Sequence, residues 1–192
     1  MRDRNVIQAG DILGFSGDSW VSTFITLVTY GIPGWSLSHV GIVGEYHDQI
    51  LLFESTTLDG SPCFIRGQTF AGTQAHRIDR AVADYPGKVW HYPLYRELYK
   101  AEKRRLNRFL LDGVGIPYDE VGAFRAGGIG FSWFESLFRE QDLNSIFCSE
   151  WVAAAHAHIG IHPTDNASKW SPNKLVRAER RAGLLLRPRR LK

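Results

Sequence analysis

Sulfur is scarce in this chain: two cysteines and one methionine among 192 residues. Cys63 and Cys148 allow at most one disulfide, which excludes a multi-bridge secreted scaffold and any four-cysteine metal site. No HExxH or paired Cys/His spacing supports zinc. No phosphate loop is present either, because GAFRAGGIG lacks the P-loop lysine and follows no clear strand. No metal or cofactor is therefore expected. Nor does any nucleic-acid-binding motif with specific spacing occur, and no nucleic-acid partner is expected. The N-terminal MRDRNVIQAGDILGF has charges but no apolar core or cleavage site, so it is not a secretory signal. Trp20 to Ile32, the most apolar early stretch, is interrupted by Ser22, Thr23, Thr26, Thr29 and Gly31. It is too short and too polar to span a bilayer. These absences point to a cytoplasmic location, with phage association or a non-standard export route as the other possibilities. Charge of one sign is also thin. The net +3 owes much to RPRRLK at 187–192, which reads as a solvated basic tail.

What is present suits one globular domain over 1–192, with 44% hydrophobic and 22% charged residues. Gly10-Asp11 before ILGF predicts a strand entered through a turn, with Asp11 fixing that turn. Asp18 and Ser19 are placed to cap a helix over about 20–30. LSHVGIVGEY and ILLFEST predict a hairpin, and PCFIR, AHRIDR and KVWHYPL predict further strands. Tyr95 to Leu111 carries a helical apolar stripe, and a second helix is expected to start at Cys148 and stop near Ile159. SPNKLVRAERRAG has serine capping and an early proline, the signature of a third. LLLRPRR closes the chain as an edge strand and tail. The order predicts an α+β fold with an antiparallel sheet.

Cys148 stands where a strand-like run turns helical. A thiol at a helix N-terminus meets unpaired N–H groups and a partial positive charge, both of which favour a thiolate and an oxyanion. The plainer reading is a small buried hydrophobe. A cysteine nucleophile needs a base, and the base an orienting group. His39 lies inside a predicted strand, and Glu54 on its hairpin partner is placed to fix its tautomer. Read singly, His39 is equally a core histidine and Glu54 an exposed strand-end charge.

GDILGF, LSHVGIV, LLFEST, GIPYDEVGAF and FCSEWVAAA, in that order, resemble the circularly permuted papain-like hydrolases related to NlpC-type cell-wall peptidases. The lecithin–retinol acyltransferases are a more distant relative. The His-bearing strand precedes the Cys-bearing helix, as in the permuted branch. The resemblance implies a papain-like α+β fold with Cys148 as nucleophile at a helix N-terminus, His39 as base and then acid, and Glu54 orienting His39. It also implies Tyr118 as an oxyanion candidate, although Asp119, Glu120, Val121 and a single Gly122 follow it, where the family pattern continues with a tryptophan and two glycines.

The expected activity is cleavage of an amide bond by a cysteine peptidase or amidase, with peptidoglycan stem peptides as the first substrate. A lipid-directed acyltransferase or amidase on the same core is the second reading. Trp20 and Trp35 are its cleft candidates, with Phe24, Trp133, Phe134 and Phe138 beside them, and core packing is the simpler account of all six. A non-catalytic binding or virion protein is the third. Nothing in the sequence fixes the oligomeric state.

Overall fold

The computed structural model describes residues 5–17, 37–56, 61–116, 143–161 and 170–192, with side chains from 148 onward in the fourth segment. The strands are β1 (Ile12–Ser16), β2 (His39–Tyr46), β3 (Gln49–Thr56), β4 (Gly72–Arg77), β5 (Lys88–Tyr92) and β6 (Arg189–Arg190). The helices are α1 (Ile78–Asp84), α2 (Lys100–Asp112), α3 (Leu143–His158) and α4 (Pro172–Arg181). The strands form one sheet in the order β4-β3-β2-β1-β5-β6, antiparallel at every pairing. The α+β class and the antiparallel sheet follow the sequence.

Both faces of the sheet are covered, which explains why its central strands read as almost unbroken apolar runs. Ile12, Val40, Ile42, Leu51 and Phe53 join one buried cluster with Leu106 and Leu110 of α2, Val152 and Ala155 of α3, and Leu175 of α4. Leu13, Phe15, Val43, Leu52 and Val89 form a second cluster, against which Ile78, Ala81 and Val82 of α1 pack. The alternation is the period-two geometry of a strand. The β2–β3 hairpin closes through His47 and Asp48, both left-handed at φ 44° and 59°. That is the backbone a two-residue hairpin turn demands. In α4, Ser171 caps the helix through its side chain and Pro172 opens it, as its sequence predicts.

Four local expectations are corrected. PCFIR is a turn, closed by a 2.8 Å bond from Gly67 N–H to the Cys63 carbonyl. AHRIDR is divided, with β4 ending at Arg77 and α1 beginning at Ile78. The helix expected from Tyr95 begins at Lys100, because Tyr95 N–H is tied to the Leu184 carbonyl at 2.8 Å. LLLRPRR does supply an edge strand, but the tail expected at 187–192 is docked rather than solvated. Arg189 and Arg190 pair with β5, Leu191 packs on the second cluster, and Lys192 Nζ donates to the carbonyls of Ala83 and Tyr85. The helix expected over 20–30 and the aromatic stretch around Trp133 lie outside the described residues. Among the described residues, no helix is long and apolar enough to cross a membrane.

Candidate active site

The β2–β3 hairpin and α3 together assemble three of the expected side chains. His39 opens β2, beside Phe15 of β1, and the two rings lie 5.6 Å apart. Glu54 lies on β3, and its Oε2 is 2.6 Å from His39 Nε2. The Cys148 side chain hydrogen-bonds the same imidazole. Cys148 is 4% exposed, and it is not joined to Cys63 in a disulfide. Thiol, imidazole and carboxylate thus form one row.

One expectation about Cys148 is corrected. Helix α3 starts at Leu143, so Cys148 is its sixth residue and sits in the second turn rather than at the N-terminus. Its N–H is directed at the carbonyl four residues earlier, and the unpaired donors belong to the first four residues. The helix end therefore does not account for the electrostatics at this sulfur, since that effect fades within the first turn.

The histidine and the carboxylate supply it instead. Burial alone would lower the His39 pKa, but the negative sulfur of Cys148, its hydrogen bond, and then Glu54 raise it from 6.5 to about 10. For Glu54 burial acts upward and is outweighed by hydrogen bonds from His39 and His76, which bring its carboxyl from 4.5 down to about 2. Imidazolium and carboxylate are the forms this geometry favours.

These shifts predict a pH signature in stability. A carboxyl held below its ordinary value stabilises the fold fully above about 4.5, and less as pH falls towards about 2. A histidine held above its ordinary value does so below about 6.5, and less as pH rises through about 10. Glu54→Gln is therefore expected to lose most stability, relative to the wild type, between about pH 4.5 and 6.5. Urea midpoints measured across pH test this; a gap that does not vary with pH contradicts it.

His76 was not singled out from sequence. Its Nδ1 lies 2.8 Å from Glu54 Oε1, and its Nε2 lies 3.2 Å from the Ser61 carbonyl. The signal available was pairing: once AHR is placed beside ILLFEST, His76 falls opposite Leu52 and diagonal to Glu54. Asp11 does fix its turn, accepting from Gln8 N–H at 3.0 Å. It also reaches across the sheet to His91 Nε2 at 2.7 Å and Leu94 N–H at 3.0 Å. Behind Cys148, the buried His156 bridges Glu179 Oε1 at 2.8 Å and the Gly10 carbonyl at 2.9 Å, tying α3 to α4 and to the start of β1. Tyr118, Trp20 and Trp35 lie outside the described residues.

The chain matches no family model and no curated protein. It is similar in structure to the crystal structure of metalloprotein yiiX from Escherichia coli O157:H7, DUF1105, at 21% identity and a TM-score of 0.51. The likeness covers 80% of this chain and 66% of that one, and it is a likeness of fold. Among the described residues, no group of three or more His, Cys, Asp or Glu side chains is arranged to hold a metal ion. In the row itself both Glu54 oxygens are turned to histidine nitrogens rather than to a common point.

Proposed function

We propose that this chain is a cysteine hydrolase that cleaves an amide bond through an acyl-enzyme on Cys148, on a circularly permuted papain-like fold. The observation that carries the reading is the row itself, with His39 bonded both to Glu54, at 2.6 Å, and to the Cys148 side chain. In the first half-reaction the Cys148 thiolate attacks the carbonyl carbon. The C–S bond forms, the C–N bond breaks, and the His39 proton goes to the departing amine. In the second, His39 takes a proton from water as the hydroxyl adds to the carbonyl. The C–S bond breaks, and thiolate and imidazolium are restored. Glu54 holds the Nε2–H tautomer throughout.

A peptide is the favoured substrate, with stem peptides of the bacterial cell wall first. A cavity of about 430 Å³ opens beside Leu37, two residues ahead of His39, and Arg177, Arg180, Arg181 and Asn173 contribute to its wall. None of Cys148, His39 and Glu54 lines that cavity, so the preference for peptide rests on the resemblance of the motifs to cell-wall peptidases. Transfer of an acyl group from a lipid ester on the same row is the second reading.

Intact-protein mass spectrometry after mixing with stem peptides and with a lipid ester, in parallel, tests both. Acyl-Cys148 from peptide alone is the expected result. Adduct from the lipid ester alone would establish the second reading, and no adduct from either would leave a non-catalytic protein.

A further inference from the structure

We infer that His76 is a positioning residue that balances the charge of Glu54 while His39 is neutral, and so sustains release of the acyl group from Cys148. This rests on the reading of Cys148 and His39 as nucleophile and base.

A backbone carbonyl only accepts, so the 3.2 Å contact with Ser61 places a hydrogen on His76 Nε2. A carboxylate also only accepts, so the 2.8 Å contact with Glu54 Oε1 places a second hydrogen on Nδ1. Both bonds are made together by the cationic ring. The resting row then reads thiolate, imidazolium, carboxylate, imidazolium, with charges alternating and summing to zero. The next residue along β4, Arg77, is exposed and paired with Asp79 at 3.0 Å, so it adds no net charge nearby.

The two half-reactions need opposite things from His39. Acyl transfer to sulfur uses a protonated His39, which Cys148 and Glu54 both favour. After that step the sulfur is a neutral thioester and the proton has left with the amine. Glu54 alone, with a side chain only 12% exposed, would then draw a proton back onto His39. A protonated His39 cannot activate water. His76 answers the Glu54 charge at this stage, so that His39 stays neutral and basic. His76 is thus expected to matter for deacylation and little for acylation.

p-Nitrophenyl acetate is a suitable probe, because the burst of p-nitrophenolate reports acylation and the steady state reports deacylation. The wild type, His76→Ala and His76→Asn are compared. In both variants the burst rate is expected to stay within about threefold of wild type while turnover falls at least about tenfold. Acetyl-Cys148 should accumulate, and the pH profile of turnover should move to higher pH. Asparagine puts a neutral donor near the Nδ1 position, so it keeps the hydrogen bond to Glu54 without the charge. It also carries the comparison if the alanine variant fails to fold. Unchanged turnover, restoration by asparagine, or equal loss of burst and turnover would overturn the assignment. A wild type that gives neither burst nor acetyl-Cys148 would instead sink the reading of the site on which the assignment rests.

Discussion

Cys148→Ala is expected to lower turnover by about 10⁴-fold or more while leaving a folded protein. The side chain is small and buried between α3 and the sheet, so its truncation removes a single sulfur. No other group in the row is a comparable nucleophile, and loss of the covalent step cannot be made up by His39 or Glu54. The same substitution removes the largest influence raising the His39 pKa, which should fall from about 10. A titration of the His39 ring by NMR in the variant reads this directly. A variant that keeps its turnover, or a His39 that titrates as before, would mean that sulfur and ring do not act as a pair.

The largest stability effect is expected at Glu179. His156 is fully buried, with both ring nitrogens bonded and its pKa raised because Glu179 and the Gly10 carbonyl outweigh its burial. Glu179→Ala leaves a buried imidazolium without its partner, a change of about 3–5 kcal/mol. For a domain of this length that corresponds to a fall of about 6–20 °C in melting temperature. Because the His156 pKa is raised, the pair stabilises most below the ordinary histidine value, and the gap between wild type and variant should narrow as pH rises. A His156→Leu, Glu179→Met double variant is expected to recover part of the loss, since no charge is then left alone. Calorimetry of the three proteins checks this, and a Glu179→Ala protein as stable as wild type contradicts it.

Elements whose signals are local were legible in the sequence. The alternation in HVGIVGEY and QILLFEST gave the hairpin that carries His39 and Glu54, and Ser171-Pro172 marked the start of α4. Elements fixed by distant partners were not. Tyr95 to Glu97 looks helical, but Tyr95 is held by Leu184, almost ninety residues on. The edge strand expected in LLLRPRR does form, as β6 on β5, but the anchoring of Lys192 on the carbonyls of Ala83 and Tyr85 has no local signal. Asn144 and Ser145 are residues that favour caps over helix interiors, which hid the true start of α3. The partners of His76 and His156 are hidden for the same reason: their carboxylates lie 22 and 23 residues away, on other elements. The triad was more visible because two of its members share one hairpin.

The most direct test of the account is the rate at which Cys148 is alkylated by iodoacetamide as a function of pH. It is followed by peptide mapping, so that Cys63 is scored separately. In the wild type, Cys148 is expected to react faster than free cysteine at neutral pH, because His39 stays protonated beside the sulfur. In His39→Ala the rate should fall towards that of an ordinary thiol. A wild-type Cys148 that tracks the His39→Ala curve and that of free cysteine at every pH would contradict the thiolate–imidazolium row.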